Sequence, residues 1–308
     1  MEFELIMPVA ASDVETAKQN ITYIRKWLCP GKIVIITSGE IRRNLENELY
    51  RWDDIRLLDE DEIQEGLSFE TIRNYLKLRG AEKRTGWYLQ QFIKMAYAFK
   101  CETEFYLTWD ADTIPMCYIP LQEKDGRPIL AVKQEFHPAY FDTIKSLLNL
   151  DKTINESFIA EYMIIKKEIM IQLINMIDRK SFSAWFINIL ENIAQEHLGA
   201  SGFSEFETYG TYVMSEWPDV YEMRKAKALR RGKQIFGSCP SEEIMEWLSK
   251  SYTTISFEKW DRQYIFRHPC GKKLFRKIVP ANIFVKSCFG VIKLKKYLTR
   301  YVKIGRIM

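Results

Sequence analysis

The chain has 308 residues, of which 47% are apolar and 14% aromatic; this composition permits a sizeable buried core and excludes global disorder. Six cysteines are scattered without a C-x-x-C pair, which excludes a zinc ribbon or a disulfide scaffold and favours a reducing compartment. The net charge of +4 hides a segregation, because residues 262–308 contain thirteen Lys or Arg and no Asp or Glu, whereas the rest of the chain is acidic overall.

In the first half of the chain, strand-like and helical patterns alternate. The apolar runs predicted as strands are Leu5–Val9, Lys32–Thr37, Ile55–Leu58, Phe105–Trp109 and Ile129–Val132. The helical patterns between them are Val14–Leu28, Ile41–Tyr50 and Trp87–Phe99. This alternation predicts an α/β fold with a doubly wound, mostly parallel sheet. Residues from about 155 to 250 are predicted to be mainly helical.

The beginning of the sequence and its apolar stretches bear on localisation. A strand-like segment opens the chain, and no basic region followed by a long apolar region precedes it, so we expect no secretory signal. No uninterrupted apolar stretch reaches the roughly 20 residues of a membrane-spanning helix. We therefore expect a cytoplasmic protein.

Asp110 and Asp112 follow the strand predicted at Phe105–Trp109. Two carboxylates one residue apart repel unless a cation compensates them, and in an extended segment both point to the same side. Oxygen ligands of this kind suit Mg²⁺ or Mn²⁺, and such an ion can hold a substrate diphosphate. In doubly wound sheets ligands bind beyond the carboxyl ends of the strands, where this pair stands. An Asp-rich loop after a strand is the alternative.

Three segments together resemble a known enzyme class. They are Gly86–Lys94 (G-W-x-x-Q-Q-x-x-K), Tyr106–Thr113 with its D-x-D, and the acidic, aromatic loop Ser204–Gly210. The order of these segments, over residues 1–220, resembles nucleotide-sugar-dependent glycosyltransferases of the GT-A type. More narrowly, it resembles the bacterial enzymes of capsule, O-antigen and other surface polysaccharides.

The resemblance implies a GT-A-like (Rossmann-like) sheet flanked by helices and a division of the chain into three parts. These are a nucleotide-sugar-binding half (1–150), an acceptor-side helical region (151–261) and a basic amphipathic tail (262–308).

The resemblance also implies ligands for metal and donor. Asp112 would bind Mn²⁺ or Mg²⁺ directly, and Asp110 would contact the ribose or a metal-bound water. A late His is often a further ligand, for which His268 is the candidate, although a structural His is the alternative. Asp59 would contact the base or ribose, while an N-cap explains it equally well. The backbone after the first two strands would line the base pocket, at Pro8, Ala10, Ala11 and Ser38.

Gln91 and Lys94 lie three apart on one face of a predicted helix that starts near Gly86. Backbone N–H groups and a Lys there can bind the anionic donor, and a solvated helix face is the alternative.

Glu205 and Glu207 are the candidates for the base. An inverting transfer needs a group that takes the proton of the acceptor hydroxyl, and burial among aromatic residues raises a carboxylate pKa towards the working range. We favour Glu207 over Glu205, while a surface acidic turn and a retaining mechanism that needs no such base stay open. The residues predicted to meet the acceptor are His137, Ser204 and Tyr209.

The tail interleaves cations with apolar residues, a pattern that favours contact with an anionic membrane surface. A solvated face packed on the acidic body and nucleic-acid binding are the alternatives.

The function expected from the sequence is a metal-dependent glycosyltransferase of bacterial surface polysaccharide synthesis. It would use a nucleotide-sugar donor, with a UDP-sugar favoured, and a glycan or lipid-linked oligosaccharide acceptor. It would work at the inner face of the plasma membrane, without nucleic acid. A nucleotidyl- or phosphotransferase that uses Mg²⁺ at the paired Asp is one alternative, although the G-x-x-x-x-G-K-[ST] phosphate loop is missing from the sequence. A non-catalytic glycan-binding protein is the other.

Overall fold

The computed structural model describes residues 1–49, 52–179, 183–238, 240–258, 261–264 and 269–304. The described residues form two compact units. The first comprises those of Met1–Ile21, Cys29–Ala111 and Pro120–Ala226, and the second those of Thr22–Leu28, Asp112–Ile119 and Lys227–Met308. The boundaries predicted near residues 150 and 262 stay predictions.

The strands and helices have the following bounds. The strands are β1 (Phe3–Pro8), β2 (Lys32–Thr37), β3 (Ile55–Asp59), β4 (Phe105–Trp109), β5 (Thr113–Pro115), β6 (Ile129–Val132), β7 (Tyr162–Lys166), β8 (Glu222–Lys225), β9 (Ala228–Leu229) and β10 (Thr254–Ser256). The helices are α1 (Val14–Trp27), α2 (Gly39–Leu49), α3 (Phe69–Lys77), α4 (Thr85–Ala96), α5 (Pro138–Leu148), α6 (Lys167–Asp178), α7 (Trp185–Glu191), α8 (Gln195–Leu198), α9 (Glu205–Glu216), α10 (Gly232–Phe236), α11 (Glu242–Ser249), α12 (Lys273–Ile278) and α13 (Ala281–Ile304).

The first unit is built on a five-stranded sheet in the order β3-β2-β1-β4-β7. The first four strands are parallel, and β7 runs antiparallel to β4, with Trp109 opposite Tyr162. Strands β1 and β2 are buried along almost their whole length, which explains why they read as continuous apolar runs rather than as alternating patterns. The predicted mixed α/β fold, with a mostly parallel sheet flanked by helices, is confirmed.

One of the five predicted strands does not belong to this sheet. The predicted strand Ile129–Val132 forms as β6, but it pairs in parallel with β8 in a separate two-stranded sheet. The place beside β4 belongs to β7, which lies in the region predicted to be mainly helical. Its apolar run, Tyr162–Ile165, is a strand signal of the same kind as the others. Periodicity identifies such runs but does not say which strand pairs with which.

Helix α9 replaces the acidic loop predicted at residues 204–210. Ser204 caps it, since the Ser204 Oγ accepts a hydrogen bond from the backbone N–H of Glu207 at 3.2 Å. Gly210 in this helix lets the ring of Phe158 pack directly on the backbone, because a Cβ at that position would lie 2.2 Å from a ring atom. The two acidic residues therefore belong to the first turn of a buried helix.

The second unit contains a three-stranded sheet in the order β5-β10-β9 and an apolar cluster. Helix α13 contributes one face to that cluster through residues spaced at helical intervals, Ala281, Val285, Cys288 and Ile292. Trp247 of α11 packs against Phe275 and Phe284 in the same cluster. Of the helices in the described part of the chain, none combines the length and the apolar character that crossing a bilayer requires.

Candidate functional site

Asp110 stands directly after β4, at the edge of the sheet where the four parallel strands end. Its backbone N–H donates to the Glu161 carbonyl oxygen at 3.0 Å, which ties it to the segment that enters β7. The side chain of Asp110 keeps 30% of its surface exposed. A partly exposed carboxylate at this edge occupies the position where open α/β sheets bind ligands.

Lys94 of α4 lies between two carboxylates. Its Nζ is 2.8 Å from Asp110 Oδ1 and 2.9 Å from Glu205 Oε1. The side chains of Lys94 and Glu205 are only 5% and 6% exposed. Burial lowers the pKa of Lys94, but the charges of Asp110 and Glu205 outweigh it and hold that pKa above its ordinary value. Lys94 is therefore a cation at all physiological pH values.

Gln91 joins α4 to the start of α9. Its side-chain oxygen accepts from the backbone N–H of Glu205 at 3.2 Å, and its Nε2 donates to the Trp87 carbonyl oxygen at 3.3 Å. Gln91 is buried, as is Lys94. The structure thus brings Gln91 and Lys94 together with Asp110 and Glu205, through contacts that use both side chains within the protein.

A second buried ion pair, which the sequence analysis missed, lies next to Asp110. Lys133 Nζ, just after β6, is 2.5 Å from Glu161 Oε1, and these side chains are 12% and 6% exposed. The signal available in the sequence was Glu161 immediately before the apolar run of β7. With this pair, two lysines and three carboxylates gather around the end of β4, leaving one net negative charge.

Glu207 faces a different part of the first unit from Glu205. Its Oε1 accepts hydrogen bonds from the Ser157 Oγ and from the backbone N–H of Phe158, the latter at 3.2 Å. Its Oε2 is buried and has no hydrogen-bond partner among the described residues. Burial raises the pKa of Glu207, although the hydrogen bond from Ser157 opposes this. A carboxyl group with one unused buried oxygen and a raised pKa is suited to take up a proton.

The predicted donor residues lie at the carboxyl ends of β1 to β3. Ala10 and Ala11 are exposed directly after β1, whereas Pro8 is buried as its last residue. Ser38 is half-buried after β2. Asp59 Oδ1 accepts from the backbone N–H of Asp61 at 3.1 Å and so caps the 3₁₀ turn Glu60–Glu62, as the alternative interpretation had it.

The predicted acceptor residues do not come together. The Ser204 hydroxyl is used as the cap of α9. His137 is exposed at the start of α5. The Tyr209 hydroxyl lies 2.8 Å from that of Tyr221 and accepts from the backbone N–H of Lys166 at 3.1 Å. Lys166 pairs with the first residue of β4, whereas Asp110 follows the last one. Tyr209 therefore lies at the opposite end of β4 from Asp110.

Asp112 belongs to the second unit, where its carbonyl oxygen accepts from the backbone N–H of Phe257 at 2.9 Å. Its Oδ1 accepts from the Thr113 Oγ1 at 3.3 Å, and the side chain is half-buried. His268, the predicted third metal ligand, lies outside the described residues.

The donor chemistry of the paired aspartates can be tested against a divalent cation. Within the described ranges no group of three or more His, Cys, Asp or Glu side chains is placed to hold a metal ion. Mg²⁺, however, is commonly bound by one or two carboxylates together with substrate phosphates and waters. Asp110 in the first unit and Asp112 in the second are each a partly exposed carboxylate of the kind that such a donor set uses.

A cavity of about 690 Å³ opens at the opposite end of the parallel strands, where β1 and β4 begin. Its lining includes four acidic residues, Glu2, Glu4, Glu102 and Glu104, with Lys32 as the basic residue among them. This charge would repel a nucleoside diphosphate, so the donor site is not placed there.

Comparisons with known proteins give one family and several distant structures. A family model described as "Family of unknown function (DUF6492)" matches residues 18–298. No curated protein matches the chain by sequence.

Among solved structures, the chain is similar to the glycosyltransferase GlyE of Streptococcus pneumoniae TIGR4, with 11% identity, a TM-score of 0.42, and coverage of 94% of this chain and 64% of that one. It is also similar to the bifunctional glycosyltransferase WbbM, with 11% identity, a TM-score of 0.41, and coverage of 85% of this chain and 46% of that one. A third similar structure is mouse xyloside xylosyltransferase 1, with 10% identity, a TM-score of 0.41, and coverage of 85% of this chain and 99% of that one. The chain thus spans less than two thirds of the length of GlyE and of WbbM. At these identities and TM-scores the likeness concerns the fold and identifies no function.

Proposed function

The chain belongs to the DUF6492 family, and we propose that it is a glycosyltransferase that moves a sugar from a nucleotide donor to a glycan acceptor. The observation that carries the proposal is the cluster at the end of β4. There, Asp110 faces solvent at the ligand-binding edge of a mostly parallel sheet, and the buried Lys94 holds it in place. The order of the three segments that resemble GT-A enzymes supports the same class.

The donor would be a nucleoside diphosphate sugar, with UDP-sugars first. Asp110 and Asp112 would hold Mg²⁺ or Mn²⁺, which when bound offsets the negative charge of the diphosphate as it departs. The exposed backbone at Ala10 and Ala11 and the polar groups of Ser38 and Asp59 would meet the nucleoside, since they follow the neighbouring strands at the same edge.

In an inverting transfer, an oxygen of the acceptor hydroxyl forms a bond to the anomeric carbon of the donor. The bond from that carbon to the diphosphate oxygen breaks, and its electron pair leaves with the diphosphate. The hydroxyl proton passes to a carboxylate, for which we propose Glu207. Its raised pKa and unused Oε2 favour this assignment over Glu205, whose Oε1 already accepts from Lys94.

The acceptor would be a glycan or a lipid-linked oligosaccharide of bacterial surface polysaccharide synthesis. His137, exposed at the start of α5, is the predicted acceptor contact that remains open to solvent.

Metal-dependent donor use tests the proposal. The purified chain is incubated with UDP-, GDP- and CMP-sugars and Mn²⁺, and release of the nucleotide is measured with and without chelator. We expect release from one donor class, lost in EDTA and lost in Asp112→Asn, while the control Asp142→Asn, an exposed change on α5, keeps full activity.

The outcomes of this assay separate the alternatives. When pyrophosphate is added to a UDP- or GDP-sugar, formation of a nucleoside triphosphate and a sugar 1-phosphate would identify a nucleotidyltransferase and refute the proposal. A donor response that survives both EDTA and Asp112→Asn would keep a glycosyltransferase but remove the metal assignment. No response to any donor, in thermal shift as well as turnover, would leave only glycan binding.

A further inference from the structure

Helix α13 has two faces of different character. The face formed by Ala281, Val285, Cys288 and Ile292 is buried in the apolar cluster of the second unit. On the opposite face, Ile283, Leu294 and Tyr297 fall at i, i+11 and i+14 and are 55%, 58% and 58% exposed. An apolar stripe on the outward side of a helix whose inward side is already packed has no role in the core of this unit.

Helix α12 extends the same kind of surface. Leu274 and Ile278 lie one turn apart and are each 69% exposed. With Val291 of α13, six of the large apolar side chains most exposed in the described residues lie between positions 274 and 297. Single exposed apolar residues are ordinary, but a concentration of this kind marks an interaction surface.

The charge around this stripe identifies the partner. Lys286 and Lys293 flank the exposed side of α13, and Lys273 and Lys277 are exposed on α12. No acidic residue occurs anywhere from residue 262 to the end of the sequence. A surface that combines cations with bulky apolar side chains can place the cations among anionic head groups and the apolar groups at the acyl boundary. Nucleic acid would use the cations but would leave the apolar side chains exposed to water.

We propose that the outward face of α12 and α13, defined by Leu274, Ile278, Ile283, Val291, Leu294 and Tyr297 with the neighbouring lysines, docks on an anionic lipid bilayer. The helices lie along the bilayer surface, with α13 keeping its inner face in the apolar cluster. This inference does not rest on the proposed sugar transfer, because binding to lipid is measured without any donor.

Co-sedimentation with vesicles tests the proposal on the full chain. Vesicles of phosphatidylcholine with phosphatidylglycerol are compared with vesicles of phosphatidylcholine alone, at low and high NaCl. We expect binding to the anionic vesicles that weakens with salt, and little binding to the neutral ones.

Two double variants separate the charge from the apolar groups. Lys286→Gln with Lys293→Gln should weaken binding by about 25-fold, about fivefold per lysine near the surface. Ile283→Ser with Leu294→Ser should weaken it by at least about tenfold, because both side chains lose burial at the acyl boundary. The matched control, Lys77→Gln with Leu78→Ser, changes an exposed lysine and an 89% exposed leucine of the first unit and should bind like the parent chain.

Circular dichroism and the urea midpoint must stay unchanged in all three, as expected for exposed positions. The proposal is overturned if both tail variants bind anionic vesicles as well as the control does. It is also overturned if duplex DNA binds while the vesicles do not, or if the tail variants abolish self-association of the chain while vesicle binding is absent.

Discussion

Removal of the Lys94 ammonium should destabilise the first unit strongly, because it leaves Glu205 as a buried charge without its cation. The two charges are 2.9 Å apart and 5% and 6% exposed. At an effective dielectric of about 20 such a pair attracts by about 6 kcal/mol, part of which is offset by the cost of desolvating both groups. Breaking a buried pair from one side typically costs about 3–5 kcal/mol, and we expect that loss for Lys94→Met.

The loss should depend on pH in a defined direction. Lys94→Met lacks the titrating ammonium, so the difference in stability between the parent chain and the variant should follow the titration of Lys94. In the parent chain, the raised pKa of Lys94 means that its contribution is complete below the unfolded lysine value of about 10.4 and is lost only as the pH rises through the folded value.

Urea unfolding at a series of pH values measures both effects. Lys166→Met is the matched control, because Lys166 forms a 2.9 Å ion pair with Glu104 whose side chains are 28% and 59% exposed. Such an exposed pair is worth less than about 1 kcal/mol. Adding Glu205→Leu to Lys94→Met should recover most of the loss, since the unpaired charge is gone. A loss no larger than that of Lys166→Met would show that Glu205 does not depend on Lys94 as its cation.

Two further predictions concern α9 and α4. Glu207→Gln should reduce the pH dependence of stability. The raised pKa of Glu207 makes the parent chain less stable as the pH rises above the unfolded glutamate value of about 4.3, and the amide cannot titrate. Thermal unfolding at a series of pH values should show the parent curve falling more steeply than that of the variant, and parallel curves would contradict this prediction. Gly210→Ala should lower the free energy of unfolding in urea by about 1–3 kcal/mol, because its Cβ meets the ring of Phe158. Gly86→Ala is the control: a Cβ there meets nothing within 4 Å, so this change should stabilise the chain by about 0.4–1 kcal/mol. Equal effects of the two changes would argue against close packing of Phe158 on α9.

Strands β1, β2 and β4 of the central sheet were predictable because they are buried along almost their whole length. Residues Lys32–Thr37 and Phe105–Trp109 form strands at the predicted positions, and β1 is displaced from its prediction by one or two residues. Helix α4 begins two residues earlier than predicted and ends in a 3₁₀ turn, Tyr97–Phe99. Local pattern determines such elements, since an apolar run of that length between turn signals has few other buried conformations.

Partners distant in sequence were not predictable from local pattern. Spacing placed Lys94 beside Gln91 on one helix face, but not beside Glu205, which is 111 residues away. The pairing of Lys133 with Glu161 depends on where β6 and β7 lie. Ile129–Val132 was predicted as a strand without a named partner, and β7 lies in the region predicted to be mainly helical. The interpretation of Lys94 as a contact for the donor phosphate arose from this limit, because a helical lysine has the same sequence pattern whether it faces solvent or two carboxylates. In the structure Lys94 lies in the last turn of α4, away from the free N–H groups at the helix start.

The charge balance at the end of β4 gives the strongest physical reason to look for a cation there. Lys94 and Lys133 offset two of three carboxylates, and both lysines are almost fully buried. Of the three acidic side chains, Glu205 and Glu161 are 6% exposed, while Asp110 is 30% exposed. The excess negative charge of the cluster therefore lies at Asp110, the carboxylate that faces solvent, two residues before Asp112. A divalent cation that arrives with a diphosphate would be attracted to that carboxylate, whereas the diphosphate alone would be repelled by it.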